Sequence, residues 1–176
     1  MTNKDTVALF SRYNQKANEG LGKVLSTLTA EEWNKEISDN FIGFFKNVRS
    51  ICSHNYAVDI MYCNRFKNLR AFKTLDDPVF AESFDFRVVY FEDINEYLTK
   101  RPVLDKLINN FIEEVTEEDL AGNVKFEGRN GIIERNFGAW LLQLFTHSAH
   151  HRGMASVYLE LLGKENDYNS ITQALQ

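Results

Sequence analysis

Residues 138–163 place the strongest constraint on the fold. Trp140, Leu141, Leu142, Leu144 and Phe145 precede a polar patch, and Met154, Ala155, Val157, Tyr158, Leu159, Leu161 and Leu162 follow it. No proline interrupts the stretch, and Gly153 is its only internal glycine after Gly138, so it reads as one long helix. The polar patch holds His147, His150 and His151, three of the four histidines in the sequence.

On a helix, four residues turn the chain by about 400°, so His147 and His151 diverge by only about 40° and lie roughly 6 Å apart along the axis. One metal ion can reach a nitrogen of each, the spacing by which helical histidine pairs grip zinc. His147 and His150 also share a face, whereas His150 and His151 point about 100° apart and cannot act alike. A third ligand has to come from another element, and His54 is the remaining histidine. Histidines in such places also serve as solvated residues, as complements to a helix dipole or as hydrogen-bonded core residues. This patch, however, is mid-helix in an apolar setting, where imidazoles without partners are costly to bury.

With 176 residues, 44% hydrophobic and 13% aromatic, and two prolines, the chain fits one ordered domain over residues 1–176. A formal net charge of −5 argues against direct nucleic-acid binding, for which a basic face is the usual footprint. The basic clusters at Lys67 and Arg70 and at Lys100 and Arg101 read as solvated helix ends. The N-terminal residues form no apolar signal region, and no apolar run reaches the length of a membrane span. The expectation is a cytoplasmic protein with no membrane partner. Cys52 and Cys63, if on one helix, stand about 16 Å apart, past the roughly 7 Å limit of a disulfide, and read as reduced and buried.

Along the chain, residues 5–28 carry a helical stripe of Val7, Phe10, Tyr13, Ala17, Leu21, Val24, Leu25 and Leu28. Thr29 and Glu32 have the spacing of a capping box. A second helix is expected over residues 40–64, from Phe41 to Tyr62, with His54 near its middle between the core positions Ile51 and Val58. Residues 66–86 read as a long irregular connection broken at Asp76, Asp77 and Pro78. A third helical arm lies within residues 87–115, where Pro102 either kinks it or opens a second helix at its first turn. Acidic residues 116–120 close that arm. Residues 124–126 and 132–134 flank a turn of Glu127, Gly128, Arg129, Asn130 and Gly131, which predicts a small β-hairpin. The last helix starts near Asn136 and ends at Gly163, and the polar tail beyond it has Tyr168 and Ile171 available to dock. These elements read as an all-α four-helix bundle with a long crossover connection and a small accessory β-hairpin.

The run from Phe145 through His147, His150, His151 and Arg152 to Gly153, followed by Ser156, Val157, Tyr158, Leu159, Leu161, Leu162 and Gly163, resembles the signature near the C-terminus of DinB-family proteins. Tyr62, Cys63, Asn64, Arg65 and Phe66, then Phe84, Asp85 and Phe86 with Tyr90, Phe91, Glu92 and Asp93, then Lys100, Arg101, Leu104 and Asp105, follow the same family in order. The resemblance implies a four-helix bundle with an unusual crossover, often dimeric, holding a divalent metal, zinc or nickel, by three histidines. Carried over residue by residue, the ligands are His54, His147 and His151, which selects His151 over His150. Thr146, His147, Ser148 and Ala149 replace the usual family stretch before the double histidine, and Met154 stands where glutamine is common. Both changes lie beside the ligands.

Three neutral histidines leave a coordination position open, as in catalytic rather than structural sites. An ion there can activate a bound water or thiol. The resemblance then implies one of two functions: a metal-dependent hydrolase or low-molecular-weight-thiol transferase acting on a small molecule, or a non-catalytic, stress-associated metal-binding protein. The interval between His147 and His151 lacks the glutamate of an H-E-x-x-H helix, which weakens the hydrolase case. His150, Arg152 and Asn47 are the neighbours considered for contacts to ligands or substrate, with structural roles favoured for His150 and Arg152.

Overall fold

Short polar side chains set most of the helix starts. In the computed structural model, which describes residues 3–37, 43–85, 88–128, 130–168 and 170–172, the elements are α1 (Asn3–Leu25), α2 (Ala30–Asn34), α3 (Val48–Phe66), α4 (Ile94–Glu114), α5 (Glu117–Ala121), β1 (Asn123–Gly128), β2 (Gly131–Asn136) and α6 (Phe137–Leu161). Thr29, Asn47, Asp93, Thr116 and Asn136 each precede a helix and accept a bond from a backbone N–H of its first turn. Those donors have no partner within the helix, so each cap stabilises its start by about 1 kcal/mol. Thr29 and Glu32 form the expected capping box. Thr116 and Asp119 form another, so the acidic residues read as closing the third arm make a short helix of their own, α5.

The apolar stretch of the sequence is the single helix α6, as expected. It ends where Gly163 takes a φ of +74°, a left-handed conformation that glycine adopts without a Cβ clash. Helix α3 begins well past residue 40, at Val48, where Asn47 caps it. Residues 38–42, Phe41 among them, lie outside the described residues. The arm containing Pro102 is one continuous helix, α4, and no new helix opens at the proline. Pro102 is exposed while its neighbour Arg101 and, one turn on, Asp105 are buried and bonded, which holds the helix together across the missing N–H.

The long connection after α3 contains two 3₁₀ turns, Thr74–Asp76 and Pro78–Ala81, and is tied down by buried Phe72, Leu75 and Phe80. Phe86 and Arg87 lie outside the described residues. The predicted hairpin forms, with Val124 opposite Arg135 and Phe126 opposite Ile133. Gly131 turns it with a φ of +113°, and Arg129 lies outside the described residues. Phe126 stacks on Trp140 with ring centres 4.4 Å apart, which docks the hairpin against the start of α6.

The chain is thus mostly helical with one small antiparallel sheet. Helix α1 packs on α4 and α6, and α3 packs on α6 and α4, around one apolar core. No helix among the described residues is long and apolar enough to cross a membrane. Cys52 and Cys63 are buried and not joined in a disulfide, and burial pushes the Cys52 thiol up to about 12 and Cys63 up as well, so neither offers a thiolate at neutral pH.

The core also contains charge. Helix α1 turns inward not only Val7, Ala17, Leu21 and Leu25 but also Ser11, Asn14 and Asn18, while Phe10, Tyr13 and Val24 from the expected stripe are only partly buried. The reason is a buried polar chain linking four helices. Arg152 donates to Asn14 and Asn18, and Asn18 donates to Asp105 at 2.8 Å. Arg101 bonds Asp105 and, at 2.7 Å, Asp59. Ser148 then donates to Asp59 at 2.9 Å, which returns the chain to α6. Its two cations and two carboxylates balance, and burying any one alone would be prohibitive.

The C-terminal stretch docks by close approach. Tyr168 is buried against α1, where a Cβ added at Gly20 would stand 2.5 Å from the Tyr168 Cβ, and the Tyr168 hydroxyl lies 2.6 Å from that of Ser156. Gly20→Ala is therefore predicted to displace Tyr168. Overpacking costs about 1–3 kcal/mol, and the better helix former restores about 1 kcal/mol, so a net loss of up to about 2 kcal/mol is expected. Limited proteolysis near Tyr168 reads the displacement directly; a variant as stable and as protected as the wild type would contradict it.

Candidate metal centre

Three imidazoles meet where the middle of α3 faces the middle of α6. His147 and His151 stand one above the other on α6, ring centres 4.4 Å apart, as their spacing requires. His54 comes across from α3, its ring centre 4.7 Å from that of His151 and 5.3 Å from that of His147. One ring nitrogen from each of the three lies within 4.8 Å of the others. Phe45 packs against His54 at 4.9 Å and His151 at 5.2 Å, and Tyr62 lies edge-on to His147 at 6.2 Å. The Tyr158 hydroxyl donates to the Phe45 carbonyl at 2.6 Å and so fixes that aromatic neighbour.

Burial dominates the electrostatics. It lowers the pKa of His54 to about 4, assisted by charge repulsion from His147. His147 falls to about 4 and His151 to about 3, again by burial first and by neighbouring histidines second. All three rings are neutral at pH 7, so each has a lone pair to give. The Nε2 atoms of His147 and His151 are 3.1 Å apart. An N–H···N bond between two rings accounts for that distance. Nitrogens sharing one tetrahedral ion, with bonds of about 2.0–2.1 Å, stand about 3.4 Å apart. The Nδ1 atoms of His147 and His151 are buried with no hydrogen-bond partner among the described residues. The donor set fits a divalent transition-metal ion.

These shifts predict an acid weakness in the metal-free protein. Unfolded imidazoles take up protons near pH 6.5, whereas the folded ones resist until about pH 4 or below. Between those values the unfolded state binds more protons, so stability falls as pH drops through the window and levels off beneath it. Urea unfolding of metal-free protein at stepped pH checks this. An identical pH profile after replacing all three histidines by asparagine would remove the histidines as its cause.

The neighbours considered from the sequence take distinct places. His150 is exposed, its ring centre 5.0 Å from that of His151. Arg152 points the other way, into the core, 1% exposed and bonded to Asn14 and Asn18 rather than to a surface carboxylate. Asn47 caps α3, accepting from the Ser50 N–H at 2.8 Å and donating to the Asn34 carbonyl at 3.2 Å. Sequence reasoning missed Asn55 and Asp59, which hold Ser148 behind the histidine face. Their signal was available: two polar residues at i, i+4 spacing on an otherwise apolar helix face.

The fold and site together define a helical protein with a three-histidine cluster between two of its long helices. The chain matches the DinB family over residues 1–171 and belongs to that family. No curated protein and no solved structure matches it significantly.

Proposed function

We propose that His54, His147 and His151 bind one divalent metal ion, zinc or nickel, with a position left open for a small molecule. The observation that carries this reading is the convergence of three neutral imidazoles from two helices, with ring nitrogens within 4.8 Å. Three nitrogen donors are the number found in open catalytic sites, whereas closed structural zinc sites take four ligands. Bound there, the ion would lower the pKa of a water or thiol at the open position. The chain's own residues do the rest. Phe45 and Tyr62 shield the imidazoles from water. Ser148 and Arg152, gripped by the buried polar chain, hold α6 in the rotation that turns His147 and His151 toward α3.

In this reading α1, α3, α4 and α6 are a four-helix bundle in one domain, with the connection from α3 to α4 as its crossover. The protein is cytoplasmic and homodimeric, with no nucleic-acid or membrane partner. The activity is hydrolysis or thiol transfer on a small molecule. One observation favours the non-catalytic alternative, a stress-associated metal-binding protein: Ser148, Ala149 and His150 fill the interval between the helical ligands, and none is a carboxylate base.

The test is in two stages. Elemental analysis of protein purified without a histidine tag is expected to find one zinc or nickel per chain, removable by chelator. Metal-loaded protein is then incubated with electrophiles and cellular thiols beside His151→Ala. Turnover lost in the variant makes it an enzyme; metal without turnover across the panel makes it a binding protein; no metal ends the reading.

A further inference from the structure

The seam between α3 and α6 carries a second feature three turns from the histidines. Arg65 projects from α3 in nearly the direction of His54, because eleven residues turn a helix by about 1100°, some 20° past three full turns. Tyr62 lines the interval, 6.2 Å from His147 and 5.4 Å from Trp140. The Arg65 guanidinium carbon sits 4.5 Å from the Phe126 ring centre and 5.7 Å from that of Trp140. Among the described residues no carboxylate forms an ion pair with Arg65. Partial burial pulls its pKa down, with Tyr62 opposing, and the aromatic faces of Phe126 and Trp140 cover the guanidinium. Beside it opens a cleft of about 450 Å³, its wall apolar at Ile60, Met61 and Phe84 and polar at Asn64, Glu82 and Ser83.

We propose that Arg65 is a carboxylate-binding subsite, and that the ligand is a small acid with an apolar body whose far end reaches the three histidines. The second half of this statement rests on the metal reading above; the carboxylate subsite does not. A guanidinium laid on aromatic rings keeps its N–H edge pre-organised for two parallel bonds to one carboxylate. Partial burial strengthens those bonds. On a chain of net charge −5, an anion needs such a local cation to bind at all. The rise from Trp140 to His147 on α6 is about 10 Å and that from His54 to Arg65 on α3 about 16 Å, which bracket the span between the two ends. A thiol at the far end suits the metal.

Octanoate and 1-octanol titrated into metal-free protein test the subsite alone, read by Trp140 fluorescence against the constant background of fully buried Trp33. Octanoate is expected to bind at least about tenfold tighter than octanol. Arg65→Gln removes that preference, and Arg65→Lys, which keeps the charge but not the planar fork, retains part of it. Thermal unfolding verifies that each variant is folded, and Arg65→Lys carries the comparison if the glutamine variant is not. Equal binding of the two probes, or a preference that survives Arg65→Gln, overturns the subsite. In zinc-loaded protein, 8-mercaptooctanoate is expected to bind at least about tenfold tighter than octanoate, a gain lost in His151→Ala. Octanoate selectivity without that gain overturns the two-ended ligand and leaves the Arg65 subsite standing.

Discussion

Replacing Arg101 with methionine is expected to lower the unfolding free energy by about 3–5 kcal/mol, a large share of a typical domain's stability. Arg101 is 2% exposed and bonds both Asp59 and Asp105, which are equally buried. Burial works against its charge, but Asp105 and Asp59 hold the guanidinium well above its ordinary range. Methionine fills much of the space and leaves two carboxylates facing each other in the core. Burial already pushes the Asp105 carboxyl up, with Arg101 and Asn18 opposing it. Without the guanidinium it rises further, and the folded state then binds the extra proton. Stability of the variant should consequently fall as pH rises above the unfolded aspartate range, so the deficit is larger at pH 8 than at pH 5. Replacing Asp59 by asparagine in the same chain should recover part of the loss, since the core then holds one cation, Arg152, and one carboxylate, Asp105, joined through Asn18. Urea unfolding at two pH values measures all of this. A variant within about 1 kcal/mol of wild type, with no pH dependence of the difference, would mean that the buried pairs do not act as described.

His147→Ala and His151→Ala are each expected to weaken zinc binding by at least about a hundredfold. Removing an outer hydrogen-bond partner of a ligand costs about 10–100-fold, and losing the ligand itself costs more. His150→Ala should leave affinity unchanged, because that ring is exposed and stands outside the three-histidine cluster. The metal-free variants should behave in the opposite sense. His151, whose pKa burial lowers to about 3, opposes folding in mild acid, so His151→Ala should lose less stability than wild type between pH 6.5 and pH 4. Calorimetric titration with zinc, paired with urea unfolding of metal-free protein, gives both readouts. Equal losses of affinity in His150→Ala and His151→Ala would show that the metal is not held as proposed.

The helix caps, the hairpin and the single long helix carrying His147 and His151 were legible in the sequence because each depends on residues a few positions apart. Thr29 with Glu32, Gly131 in the turn and the unbroken apolar run of α6 act locally, and local geometry follows from local order. The histidine cluster was legible too, with His54 found because the chain has so few histidines. The flanking roles of Phe45 and Tyr62 were not, since both read as ordinary core residues of the helix expected over residues 40–64.

Tertiary structure alone decided which face of α1 turns inward. Periodicity favours Phe10, Tyr13 and Val24, yet these are only partly buried, while Ser11, Asn14 and Asn18 are buried beside Val7, Ala17, Leu21 and Leu25. Asn18 meets Asp105 across 87 positions, and Asn14 meets Arg152 across 138. A polar side chain is buried only where a distant partner satisfies it, and no window along one helix contains that partner. Hydrophobic spacing therefore determined where the helices lie and which histidines share a face. The rotation of those helices against one another was set by buried charges that find each other only after the chain has folded.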